Sequence, residues 1–323
     1  MSSQHWAEQN ERGSKLSLNL TRLIVQYCPL WVIKLVTFFV VSYFFLTSQK
    51  ARRNIRRYQQ RLQQTFPQVN LPRYPVFCHF LAFGEAITDR FAVWQKKIRY
   101  ADLIDDDTDN VYQAIRSEGR GQILVCSHFG NIEICRALVD NPNHSNFKLN
   151  ILVHNRHAQA FNESLEKAGA ISLPLIQVED LDAAKMLELH ERLERGEWIA
   201  IAADRVPVRG DKTQKVDFLG AQASFPQGVW LMASLLKAPI NTVFCLKKWG
   251  DYHLKLRHFS GPIEGSGKQR AENIEQAMQR YADLLAKECA ENPLYWFNCP
   301  PLFKTWLDEV LTYGWAYGSQ SGY

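Results

Sequence analysis

The segment His128-Phe129-Gly130-Asn131-Ile132-Glu133 sets an imidazole five residues ahead of a carboxylate. A carboxylate that accepts a hydrogen bond from one imidazole nitrogen leaves the other to take a proton from substrate, which is how a general base is oriented. An imidazole that titrates near about 6.5 suits that work near neutrality. Gly130 permits a tight turn, and Asn131 is suited to cap a following helix. Glu133 then falls in the first helical turn, where the dipole favours its charge. His128 and Glu133 are therefore read as base and partner. The spacing alone also fits a histidine that caps a helix while Glu133 makes a surface pair. The surroundings of the motif must decide.

Two more residues able to do chemistry stand in matching places. Apolar runs of strand character lead into His128 (QILVCS), Arg156 (NILVHN) and Asp204 (WIAIAA). Parallel pairing of these runs would gather all three side chains at the carboxyl ends of the strands, where open α/β sheets bind ligands. The plain reading of Asp204 is a helix or loop cap.

Strands are expected at 122–127, 148–153, 173–178, 198–203, 241–246 and 252–257. Helices are expected at 108–117, 131–140, 158–168, 180–195, 226–237 and 269–291, with Asp180 as an N-cap and a stop before Gly196. This alternation predicts an α/β fold, a largely parallel central sheet flanked by helices.

Residues 30–46 carry one charge, Lys34, and as a helix would reach about 25 Å, slightly less than the ~30 Å hydrocarbon core of a bilayer. Lys50, Arg52, Arg53, Arg56, Arg57 and Arg61 follow with no acid among them. A cationic block that abuts an apolar run fits anionic lipid headgroups, whereas nucleic-acid binding would interleave cations with aromatics over a folded surface. The reading is an N-terminal membrane-associated helix that acts as a single membrane anchor, with the carboxyl-terminal side in the cytoplasm. A helix in the interface plane, or a core helix with Lys34 reaching outward, is the alternative. A signal peptide does not fit, because the run starts late and its basic flank lies behind it.

The seven cysteines include no CxxC pair and read as thiols in a reducing compartment. No HExxH motif and no Gly-rich phosphate loop occurs, so neither a metal nor another cofactor is expected.

HFGNIE is similar to the HFGNWE form of the His-x4-Asp/Glu motif in the lipid A biosynthesis acyltransferase family, a branch of the lysophospholipid acyltransferase superfamily. His154-Asn155-Arg156 resembles that family's basic residue after the next strand, and Ala203-Asp204-Arg205 its downstream Asp element. Phe218-Leu219-Gly220, Phe225-Pro226 with Gly228, Lys237-Ala238-Pro239-Ile240 and Trp296-Phe297-Asn298 resemble later blocks, so the likeness runs from about 120 to 303. Ile132, Arg205 and Cys299-Pro300-Pro301 depart from it. Residues 5–14, HWAEQNERGS, resemble a divergent branch associated with aryl polyene pigment clusters.

The resemblance implies a membrane-bound enzyme of the bacterial inner membrane, with its catalytic domain on the cytoplasmic face. It would move a fatty acyl group from an acyl thioester, on acyl carrier protein or coenzyme A, to a hydroxyl of a lipid, glycolipid or polyene. His128 and Glu133 would be catalytic, and Gly130, Asn131, Arg156, Asp204 and Arg205 would contact substrate, with Arg156 binding a phosphate or the developing oxyanion through its planar donor fork and Asp204 positioning Arg156 or the acceptor. Arg205, Arg209, Lys212 and Lys215 read as loop charge, or as a contact for an acidic acyl carrier protein or an acceptor phosphate. The chain then divides into an extension (1–27), an anchor helix (28–48), a basic juxtamembrane helix and linker (50–75), an acyltransferase domain (76–310) and a tail (311–323). Two rivals stand beside this reading: an acyl-enzyme on Cys126, and a lipid-binding protein on the same fold that does no catalysis.

Overall fold

The computed structural model describes residues 28–94, 103–117, 119–131, 147–153, 174–206 and 212–298. In chain order these form α1 (Leu30–Thr47), α2 (Gln49–Thr65), α3 (Pro75–Trp94), β1 (Leu103–Asp106), α4 (Val111–Arg116), β2 (Ile123–Cys126), β3 (Leu149–Val153) and β4 (Leu175–Gln177). Then come α5 (Ala183–Glu194), β5 (Trp198–Ala202), β6 (Thr213–Phe218), β7 (Ala221–Pro226), α6 (Gly228–Leu236), β8 (Ile240–Lys248), β9 (Asp251–Ser260) and α7 (Gly267–Glu291).

The short apolar runs become one seven-stranded sheet in the order β1-β9-β8-β2-β5-β3-β4. Every neighbouring pair is parallel except β8–β9, a hairpin. Side chains alternate across a strand, so β2 feeds two cores. Ile123 and Val125 join the core that packs under α2, α3, α5, α6 and α7, while Leu124 and Cys126 join a second core with Trp198, Val243 and Cys245. All four β2 residues are buried. A strand sealed on both faces needs an unbroken apolar run, as in a parallel sheet.

The expected α/β class and the six expected strands are found, with β8 and β9 longer than the pattern indicated. Three features did not show in that pattern: β1, the separate two-stranded sheet β6–β7, and α3. Asp182, not Asp180, caps α5, through its side chain and the Lys185 N–H at 2.8 Å; Asp180 lies in a single 3-10 turn before it. The expected helices at 131–140 and 158–168 lie outside the described residues, apart from Asn131 itself.

The apolar N-terminal run is α1, but it packs on protein along one face. Thr37 and Thr88 share a hydroxyl hydrogen bond at 2.8 Å, and Phe45 sits edge-on to Phe77 and Phe80. Among the described residues no single helix is long and apolar enough to cross a membrane; α1 and α2 satisfy length and composition only together, as a pair bent by 91°.

Candidate active site

β2 and β5 are neighbours in parallel register, with Cys126 opposite Ala202. Each chain leaves the sheet two residues before the group of interest, so His128 and Asp204 emerge side by side at the carboxyl edge. His128 Nδ1 lies 2.9 Å from Asp204 Oδ1, and the His128 backbone N–H donates to Asp204 Oδ2 at 3.0 Å. The Asp204 side chain is fully buried, whereas the imidazole is 35% exposed. One carboxylate therefore holds both the ring and the backbone of the histidine.

The segment after α7 closes the back of the site. Phe297 N–H donates to the His128 carbonyl at 2.7 Å, and Phe129 and Trp296 form an antiparallel bridge. Trp296 Nε1 donates to Asp204 Oδ2 at 3.2 Å, and the Asn298 amide donates to the Asp204 carbonyl. Tyr58 of α2 and Phe218 of β6 pack on the indole, with ring centroids 5.2 and 5.1 Å away. Arg205, itself exposed, reaches Asn298 Oδ1 at 3.2 Å. Trp296 and Asn298 belong to the WFN block, whose sequence match carried no role. An indole N–H facing a buried acid is not visible in spacing.

Burial acts on Asp204 first and pushes its carboxyl up. The His128 charge and hydrogen bond, the Arg205 charge and the His128 N–H outweigh that, and the carboxyl ends below the usual carboxylate range. Asp204 thus stays anionic at neutral pH and stabilises an imidazolium at His128.

Gly130 is required by geometry. Its φ is +68°, and an added Cβ would lie 1.9 Å from the Cys245 carbonyl oxygen. The close approach lets Asn131 N–H donate to that oxygen at 2.9 Å and ties the His128 loop to β8. Asn131, expected on the substrate side, is instead buried, and its side-chain amide donates to Ala86 O of α3 at 3.1 Å. That bond ties the His128 loop to α3. Glu133 and Arg156 lie outside the described residues, so the structure places neither.

Cys126 is buried in the second core, and its carbonyl accepts from Ala203 N–H and Tyr281 Oη–H. That packing speaks for a structural thiol. The five described cysteines form no disulfide, and among the described residues no cluster of metal-ligating side chains occurs.

The family "Bacterial lipid A biosynthesis acyltransferase" matches residues 50–305, which include the whole of this arrangement. The chain belongs to that family. Its members are enzymes that transfer acyl groups, and they are typically membrane-associated. A second match, to a flavodoxin-like fold, covers residues 291–323 and overlaps the first over 291–305. Local likeness to curated proteins is short. General stress protein 14 of Bacillus subtilis (strain 168) is 68% identical over 28 residues, 9% of this chain and 16% of that protein. The uncharacterized NAD(P)H oxidoreductase YdeQ of the same organism is 65% identical over 26 residues, 8% and 13% of the two chains. The potassium-efflux ancillary protein KefF of Salmonella newport (strain SL254) is 57% identical over 28 residues, 9% and 16%. The chain spans about a sixth of the length of the curated relatives it matches. Within the overlap of the two family matches, Tyr295–Asn298 are built into the His128 site.

Proposed function

We propose that this protein transfers a fatty acyl group from an acyl thioester, on acyl carrier protein or coenzyme A, to a hydroxyl of a lipid or glycolipid at the cytoplasmic face of the bacterial inner membrane. The observation that carries the reading is the 2.9 Å contact between His128 Nδ1 and the buried Asp204 carboxylate at adjoining strand ends. With Nδ1–H donated to Asp204, Nε2 is the nitrogen that takes the acceptor's hydroxyl proton. The alkoxide oxygen then adds to the thioester carbonyl, the carbon–sulfur bond breaks, and the imidazolium returns the proton to the departing thiolate. Atoms and charge balance without a metal or a redox partner.

In this reading Asp204 orients His128, the place that spacing alone assigned to Glu133. Arg156 is the proposed donor to a phosphate or to the oxyanion, and Arg205 with the cations after it is the proposed contact for the donor carrier.

Two exposed features support a membrane surface. The outer face of α1 presents Trp31, Leu35, Phe38, Phe39, Tyr43 and Leu46 to solvent, a single helical stripe. Trp249, at the tip of the β8–β9 hairpin, is wholly exposed. β8 runs parallel to β2 and bridges Gly130, so that tip projects beyond the same edge as His128. Indole and phenol rings favour the headgroup level of a bilayer. This supports an interfacial α1 over a spanning one. The same faces suit a lipid-binding protein without catalysis, but an oriented imidazole does nothing for binding alone.

The test is mass spectrometry of lipids and pigments from cells that carry wild type or His128→Ala. A missing acylated species in the variant is expected, and an identical profile would sink the proposal.

A further inference from the structure

Well outside the His128 site, a cleft of about 500 Å³ lies in the corner where α1 ends, α2 passes and α3 begins. Phe45, Leu71, Tyr74 and Phe77 give it apolar walls, and Arg56 and Arg73 stand among its lining residues with no acidic side chain beside them. The volume lies within the range of small-molecule sites. Its shape is fixed by local structure: buried Gln59 donates to Pro75 O at 2.9 Å and ties α2 to the start of α3. Phe45 meets Phe77 edge-on at 5.1 Å across the corner. Arg73 lies over the Tyr74 ring at 5.4 Å, and neither Arg56 nor Arg73 makes an ion pair with a described residue.

The cleft does not end at Phe77. Phe38 sits 6.0 Å from that ring, and Phe38 belongs to the exposed apolar stripe of α1. A ligand that fills the corner would thus meet cations and amides at one end and a continuing apolar path at the other. A free anion would satisfy only the first part, and a neutral apolar chain only the second. Charge complementarity adds to this, since α2 carries no acid along its whole length.

We infer that this corner is a binding site for one anionic phospholipid, with its phosphate between Arg56 and Arg73 and an acyl chain along Phe45, Phe77 and Phe38. The inference rests on the membrane reading only for the source of the lipid. Guanidinium groups bind phosphate through paired, charge-assisted hydrogen bonds. The seat would hold α1 against the headgroups while α2 presses Tyr58 onto Trp296 behind Asp204.

The test is calorimetric titration of the full chain with dihexanoyl phosphatidylglycerol dispersed as monomers, beside dihexanoyl phosphatidylcholine and glycerol phosphate. The first is expected to bind at least about tenfold more tightly than the other two. The exposed double variant Arg56→Gln/Arg73→Gln is expected to lose about tenfold or more, as removal of two charged hydrogen-bond donors implies. Arg57→Gln/Arg61→Gln, on the same helix outside the cleft, is expected to bind as wild type. Equal affinity for glycerol phosphate would reduce the site to a bare anion contact and overturn the proposal. Equal affinity for phosphatidylcholine, an equal loss in the Arg57/Arg61 variant, or no binding would overturn it as well. His128→Ala is expected to bind the lipid normally. A chain that binds but transfers no acyl group therefore breaks the proposed activity alone, and the reverse result breaks the cleft alone.

Discussion

Asp204 and Asp89 are both nearly sealed from solvent, at 3% and 5% exposure, and each faces a base. Asp89, on α3, receives hydrogen bonds from Lys247 Nζ at 2.7 Å and from the Tyr252 hydroxyl. Asp204 receives them from His128 and Trp296. The two differ in what the partner can do. Lys247 and Tyr252 both hold the Asp89 carboxylate, so Asp89 acts as a rivet between α3 and the β8–β9 hairpin. The His128 imidazole is one-third exposed and can both give and take a proton, so in the proposed reaction the buried carboxylate there would face a proton in transit. Burial of an acid serves anchoring at Asp89 and, in the proposed activity, catalysis at Asp204, and an accessible imidazole partner separates the two.

The comparison breaks first at His128. Its replacement by Ala should lower turnover by roughly 10²–10⁴-fold, the usual contribution of a general base, with far-ultraviolet circular dichroism unchanged. Asp204→Asn should lower kcat by about 10²-fold or more with little change in KM, since it removes the group that fixes the tautomer. Glu133→Gln measured beside it decides which carboxylate serves the base: a large loss at Glu133 and none at Asp204 would restore the assignment made from spacing. Lys247→Met should leave kcat near wild type and lower unfolding free energy by roughly 2–3 kcal/mol in urea titration, because Asp89 is left buried without its counter-charge. An equal loss of turnover in that variant would erase the distinction between the two aspartates.

The smallest effect is a slope with pH. His79 is fully buried against Tyr58 and Phe297 behind Trp296. Burial lowers its pKa to about 3, with the Trp296 backbone pulling the other way. The folded chain therefore keeps His79 neutral while the unfolded chain takes up a proton below about 6.5. Stability is fully present above that value and falls by about 1.4 kcal/mol per pH unit toward pH 3. His79→Phe should flatten that segment of the acid-stability curve. Asp204 adds a later loss, below the ordinary carboxylate range, because its folded-state pKa is depressed. An unaltered slope in His79→Phe would show that other groups govern the acid limb.

Much of the scaffold was legible because a parallel sheet needs apolar runs of strand length. QILVC and WIAIA announce β2 and β5 as plainly as any local signal can. α3 was not legible: PVFCHFLAFGEAITDRFAVW is apolar on several faces, since it packs on α1 and shares a core with β2 of the sheet. β1, LIDD, is too short and acidic to stand out, and the β6–β7 hairpin forms its own small sheet.

The sequence by itself determined the class of chemistry. An imidazole, an acid and strand-ending runs were all present in the order of residues, and Gly130 was marked as a turn. Only the tertiary structure shows that His128 lies beside Asp204. Spacing sees neighbours along the chain, and so it paired His128 with Glu133. Parallel register of β2 with β5 brings Asp204, 76 residues away, to 2.9 Å, and the chain after α7 returns with Trp296 to seal the pair. Contacts across strands are fixed by sheet order and register, and neither is written in local periodicity.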